Sequence, residues 1–145
     1  MNDKQPRSVG GRLLLAMIRL GRLSRQAAAT ELTPSQISTL ATLAVRTEAR
    51  VTDLATAEGL ALPVMTRLVA SLEAVGLVSK APNPDDRRAV SLSLTEDGFA
   101  TIKQIFTARA GAVNQQIAAL SAEEMAILEA ALPVLEKLAN FNLAK

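Results

Sequence analysis

Arginine, lysine, carboxylates and hydroxyls are the side chains left to do chemistry in this sequence. It holds no cysteine and no histidine. That excludes a disulfide framework, a thiolate zinc site and a thiol redox switch, along with the commonest metal ligand and general base. Glu123 and Glu124 are neighbours, so on a helix they point in different directions and make no acid/base pair. No catalytic residue, metal ligand or cofactor is assigned, and an enzyme ranks last among the readings. With three Phe and no Tyr or Trp, a stacking platform for single-stranded nucleic acid is also disfavoured. What remains is charge, and above all the arginines.

Those arginines are unevenly placed. Of the net +2 charge over 145 residues, residues 1–30 hold six basic groups against Asp3, for a local +5. Residues 31–49 carry −1, residues 50–94 are neutral with five groups of each sign, and residues 95–145 carry −2. This patchiness does not by itself identify a partner. The length fits one domain, 1–145, with a usable core. The apolar run Leu13 to Ile18 closes at Arg19, far short of the about 20 residues that span a membrane. No membrane partner is expected, and the expected location is the cytoplasm.

Apolar residues recur at helical spacing almost throughout. A first helix is expected from about Ser8 to Ala29, with Leu13, Leu14, Met17, Leu20 and Leu23 on one stripe and Arg12, Arg19, Arg22 and Arg25 on a solvated face. Thr33-Pro34-Ser35-Gln36 reads as a capping box with proline at the first helical position. The helix it opens should bury Ile37, Leu40, Leu43 and Ala44 and end before Arg50. Thr52-Asp53 should cap a short helix that Gly59 stops. Pro63 should start another, running to about Val75 with Met65, Leu68, Val69 and Leu72 inward, closed by Gly76. Leu77 to Lys80 and Ala89 to Leu94 read as two strands around a polar turn. Thr95 should cap a long helix to about Ala118, whose Gly98 suggests close packing. Ser121-Ala122-Glu123-Glu124 is a second capping box, opening a last helix to about Asn140 that Pro133 should bend.

Two short helices joined by a glycine turn and followed by a hairpin make a winged helix-turn-helix. The expected fold is mainly α with a small β-wing. At this point the residues resemble a known family. Leu54-Ala55-Thr56-Ala57-Glu58-Gly59-Leu60, then Pro63 to Val69, then Leu72-Glu73-Ala74-Val75-Gly76-Leu77-Val78 is similar to the core of the MarR family of bacterial transcriptional regulators. The most specific part is the wing, Asn83-Pro84-Asp85-Asp86-Arg87-Arg88-Ala89-Val90-Ser91-Leu92-Ser93-Leu94-Thr95, with Gly98 following. The resemblance extends over the flanking helices.

It implies a sequence-specific regulator of double-stranded DNA, with residues 31–95 as the DNA-binding lobe. A helix fits the major groove and meets base edges with its N-terminal half. On the helix from Pro63 the outward positions are Val64, Arg67 and Ser71, with Thr66 beside them. Arg67 can bond guanine bidentately or clamp a phosphate, and Thr66 can bond a phosphate or touch a thymine methyl. In the wing, Arg88 matches the family's minor-groove arginine, Arg87 suits flanking phosphates, and Asp86 is expected to hold the Arg88 guanidinium by an ion pair. The sequence departs from the family pattern at Ala61, Leu62 and Val64, where capping or hydrogen-bonding residues are common. Base discrimination should therefore lean on Arg67 and on DNA shape.

Leu13, Leu14, Met17, Ile18 and Leu20, with Ile127, Leu128, Leu132, Leu135, Leu138 and Phe141, exceed what one winged helix can cover. The resemblance implies that segments 8–30 and 96–141 interlock in a homodimer, so that the operator is a pseudo-palindrome. It also implies a repressor released by a small anionic or aromatic effector, for which an arginine of the first helix is the obvious partner; no ligand-binding residue is assigned. The alternative is a dimeric protein-interaction module whose operator reading is weak or lost, motivated by Ala61, Leu62 and Val64.

Overall fold

The computed structural model describes residues 8–139. Asn140, Phe141 and the charged residues before Ser8 lie outside them.

Helix α1 (Val9–Ala27) is capped by Ser8, whose Oγ accepts the Gly11 N–H at 3.1 Å. Helix α2 (Pro34–Arg46) opens with the expected capping box: Thr33 Oγ1 accepts the Gln36 N–H at 3.2 Å, and Gln36 Oε1 accepts the Thr33 N–H at 2.8 Å. It closes on Thr47, held at φ 63°, an uncommon conformation for a residue with a Cβ. That corner turns the chain directly into strand β1 (Glu48–Ala49). Helix α3 (Val51–Glu58) begins earlier than the Thr52-Asp53 reading predicts. Arg50 stands at its cap, and Asp53 reaches back to accept the Arg50 N–H at 3.2 Å, so Asp53 is the third-residue partner of a cap rather than the cap. Gly59, in the left-handed conformation at φ 64°, ends it as expected.

Helix α4 (Leu62–Ala74) starts one residue before Pro63. Its cap position is Ala61, which supplies no side-chain acceptor. Gly76, at φ 76°, turns the chain into strand β2 (Val78–Pro82), which pairs antiparallel with β3 (Val90–Leu94) from Val78↔Leu94 to Pro82↔Val90. The hairpin is joined by β1 through Glu48↔Ser93 and Ala49↔Leu92, giving the order β1-β3-β2. The first of these strands was not expected: at two residues it is too short to show an alternating pattern.

The core lies where α2, α3, α4 and the sheet meet the start of helix α5 (Glu96–Ile117). Leu40, Leu54, Met65, Leu72 and Leu92 are almost wholly buried there, joined by Ile102 and Ile105 of α5. Thr95 caps α5 by accepting the Gly98 N–H at 2.9 Å. The same residue ties α5 to the turn after α4, its Oγ1 donating to Gly76 O at 2.6 Å and its N–H to Leu77 O at 3.2 Å. A Cβ on Gly98 would sit 2.0 Å from Leu77 O, so the close packing expected of this glycine is present.

Helix α6 (Ala122–Ala139) starts with the expected Ser121–Glu124 box, at 2.8 and 3.1 Å, and carries Pro133 in its interior. Neither α1 nor α6 buries a single residue. Helix α1 packs on α5, with Leu13 and Leu23 half-buried, while Leu14, Met17 and Leu20 of the expected stripe are exposed, as is Ile18. Helix α6 packs closely on no other element among the described residues.

Candidate nucleic-acid interface

Helix α4 and the wing stand side by side, with Thr66 and Val69 of α4 facing Lys80, Val90 and Leu92 of the hairpin across a cleft of about 220 Å³. Lys80 Nζ, 3.0 Å from Glu73 Oε2, links the wing base to the last turn of α4.

The exposed side of α4 carries Leu62, Val64, Thr66, Arg67 and Ser71. Arg67 has no hydrogen-bond or ionic partner among the described residues, which leaves its guanidinium fork available. Thr66 donates its hydroxyl proton to Leu62 O at 2.9 Å. Ser71 departs from the free outward hydroxyl that spacing suggests. It donates to Leu68 O at 2.6 Å and accepts from Gln36 Nε2 at 3.0 Å, tying α4 to the first turn of α2. That partner is 35 positions away, and helical spacing along α4 carries no trace of it.

The wing tip is shaped by Asn83 and Asp86. Asn83 Oδ1 accepts the N–H groups of Asp85 and Asp86 at 2.9 and 3.1 Å, and its Nδ2 donates to Ser91 Oγ at 2.9 Å. This is side-chain mimicry of a backbone turn. Asp86 does not pair with the Arg88 guanidinium as expected. Its Oδ1 accepts the Arg88 backbone N–H at 3.0 Å, and its Oδ2 lies 4.0 Å from the Arg50 guanidinium. The carboxylate is turned inward by the tight tip and meets the cap residue of α3 instead. Both partners are about half exposed, so this pair adds little stability and acts mainly to orient the wing. Asn83 and Arg50 are the residues that sequence reasoning missed. The first had a signal in the Asn-Pro-Asp-Asp run; the second had none.

Exposed Arg87 and Arg88 are left with no acidic partner among the described residues. The lobe's carboxylates are mostly engaged: Asp53 at the α3 cap, Glu58 accepting from Thr42 Oγ1 at 2.6 Å, Glu73 with Lys80, and Asp86 in the tip. A segment that is neutral in sum therefore offers three free guanidinium groups on a winged helix. No cluster of metal-ligating residues occurs among the described residues.

Residues 32–90 match the family model described as MarR family. An uncharacterised HTH-type transcriptional regulator of Mycobacterium bovis is 37% identical over 120 residues, spanning 82% of this chain and 84% of that protein. The chain belongs to the MarR family of transcriptional regulators. Wild-type MarR of E. coli in its apo form has the same fold, with a TM-score of 0.77 at 24% identity, covering 92% of this chain and 98% of that one. A solved transcriptional repressor, CouR, bound to a 23-mer DNA duplex, matches with a TM-score of 0.73 at 28% identity over 91% of this chain and 92% of that one. As a MarR-family protein the chain is a winged-helix DNA-binding regulator, mainly helical with a three-stranded antiparallel sheet, and the family is not one of enzymes. No helix among the described residues is long and apolar enough to cross a membrane.

Proposed function

We propose that this MarR-family chain is a homodimeric repressor that occupies a pseudo-palindromic operator and is released by a small effector. Residues 31–95 form the DNA-binding lobe, with the start of α4 in the major groove, Arg67 on a base edge or phosphate, Arg88 in the minor groove and Arg87 on the flanking backbone. Thr66 and Val64 lie against the groove wall; Ser71 and Asp86 hold α4 and the wing in place. The observation that carries this reading is the set of free guanidinium groups at Arg67, Arg87 and Arg88, in a lobe where Asp53, Glu58, Glu73 and Asp86 are engaged with backbone, a hydroxyl or Lys80.

Segments 8–30 and 96–141 supply the dimer. Exposed Leu14, Met17 and Ile18 of α1 and Ile127, Leu132 and Leu138 of α6 form apolar surface that a second copy would cover, far more than scattered surface residues account for. The effector reading is supported by a cleft of about 550 Å³ where Leu43 of α2 and Thr47 at its end meet Thr95, Phe99 and Lys103 around the start of α5. The cation on this cleft is Lys103, not an arginine of α1, and Glu96 lines it too, so an anionic ligand with an apolar body would have to meet Lys103 away from that carboxylate. Such a ligand releases DNA only if it binds more tightly to the lobe spacing that cannot reach both half-sites.

The test is an anisotropy titration of the protein against the DNA upstream of its own gene and a scrambled duplex, with sedimentation of the free protein alongside. A strong preference for the native duplex, a dimer mass, and loss of binding without loss of that mass in Arg67→Ala/Arg88→Ala support the reading. Unchanged binding by the double variant overturns it. The uncapped apolar start of α4, at Ala61, Leu62 and Val64, favours a second reading as a dimeric protein-interaction module, which predicts a stable dimer with no sequence preference at any salt concentration.

A further inference from the structure

The first two turns of α4 are unusual for a surface that reads base edges through hydrogen bonds. Leu62 is 45% exposed and Val64 41% exposed, and Pro63 and Ala70 are also exposed. The polar groups that stand among them are engaged inside the protein. The Thr66 hydroxyl proton goes to Leu62 O, Ser71 bridges Leu68 O and Gln36, and the N–H groups of Val64 and Met65 both donate to Ala61 O at 3.0 Å. Ala61 adds no side-chain acceptor at the cap. Among the described residues, Arg67 is left as the one free side-chain donor on this face.

We infer that the exposed start of α4, through Val64 and Leu62, reads thymine by its C5-methyl group. The inference rests on the proposed DNA reading and specifies what that reading recognises. The occupant is duplex DNA because free Arg67 lies one turn from Val64 on the same side of α4 and Arg87 and Arg88 stand on the neighbouring wing; these guanidinium groups would be repelled by a basic partner and costly to desolvate against a purely apolar one. Within the major groove the thymine methyl is the apolar group on offer; the other base edges present donors and acceptors that Val64 and Leu62 cannot satisfy. Placing cytosine there would bury its N4 amino group without an acceptor, which disfavours that base further. Thymines would then be the selected bases beneath the helix start, next to a guanine or phosphate engaged by Arg67.

Removing one methyl from water is worth about fourfold in affinity, so thymine pairs in two symmetric half-sites together give roughly tenfold or more. The experiment compares the tightest-binding upstream duplex with the same duplex carrying deoxyuridine in place of every thymine, which removes the C5-methyl group and leaves the pairing edge unchanged. It uses the full-length wild type, Val64→Ser and Leu62→Gln/Val64→Ser. The wild type should bind the uracil duplex roughly tenfold more weakly, Val64→Ser should show a smaller difference, and Leu62→Gln/Val64→Ser should bind the two duplexes alike, since exposed side chains are changed and the fold is kept. If the wild type prefers its operator to the scrambled duplex yet ignores the methyl groups, methyl reading is overturned and the regulator reading stands. A full thymine preference retained by the double variant also overturns the assignment to these residues. If the wild type prefers no duplex at all, the operator reading falls and methyl reading falls with it.

Discussion

Replacing Gly98 by alanine tests the joint on which the DNA-binding lobe is mounted. An added Cβ would lie 2.0 Å from Leu77 O and 2.9 Å from its carbonyl carbon, whereas the closest ordinary C···O contacts are about 3.3 Å. Both sides of this contact are backbone, so no rotamer change relieves it. Either α5 or the turn after α4 must move by more than about 1 Å. That movement pulls on two hydrogen bonds, from Thr95 Oγ1 to Gly76 O and from Thr95 N–H to Leu77 O. Overpacking of this kind costs about 1–3 kcal/mol and each weakened hydrogen bond about 0.5–1.5 kcal/mol. Better helix propensity returns about 1 kcal/mol, leaving a net loss of about 1–5 kcal/mol.

With an unfolding entropy of about 0.3 kcal/mol/K for a chain of this size, the melting midpoint should fall by roughly 3–17 °C. Far-UV circular dichroism at matched protein concentration checks it, because an associating protein melts at a concentration-dependent temperature. Gly111→Ala, in the same helix where a Cβ meets nothing within 4 Å, should melt at or slightly above wild type. A Gly98→Ala protein melting within about 2 °C of wild type would refute the reasoning, since the clash would then be relaxed at almost no cost.

The cap of α4 is open to improvement: Ala61→Ser supplies the missing acceptor and should raise stability by about 1 kcal/mol, or roughly 3 °C in melting midpoint, read by the same dichroism scan. Thr39 is fully buried in α2 with its hydroxyl unpartnered among the described residues. Thr39→Val keeps the shape and removes a buried polar atom, so urea denaturation should show a gain of about 1 kcal/mol rather than a loss.

The caps at Thr33, Thr95 and Ser121, the stops at Gly59 and Gly76 and the hairpin were legible because each depends on residues within a few positions. So was the buried face of α4, where Met65, Val69 and Leu72 leave one period dominant. The sequence was mute where the partner is remote. Arg50 reaches Asp86 and Gln36 reaches Ser71 across about 35 positions, and no periodicity encodes such pairs. On α1 the failure has a different cause. Apolar residues lie on more than one side of that helix, so the period alone does not tell which side meets α5. Of the stripe it picked out, Leu14, Met17 and Leu20 are left open.

The free arginines also set how steeply DNA binding should respond to salt. Each phosphate charge neutralised on B-DNA lowers the slope of log affinity against log salt by about 0.9. Arg67, Arg87 and Arg88 give three cations in one copy and six in a dimer, so a dimer should show a slope near −5 and a single copy a slope near −3. Between about 50 and 200 mM salt, the dimer would lose roughly 10³ in affinity and the single copy less than about 10². Arg88→Ala removes one cation from each subunit and should flatten the dimer's slope by about 2, whichever duplex is bound. A titration series in potassium chloride measures all of this on any duplex that binds, whether or not it contains the operator. An Arg88→Ala slope equal to that of wild type would mean that Arg88 neutralises no DNA charge, and any backbone contact by the wing would then rest on Arg87. A wild-type slope near −9 would instead require about two further cations per copy on the phosphates, for which exposed Arg46 of α2 and the arginines of α1 are candidates.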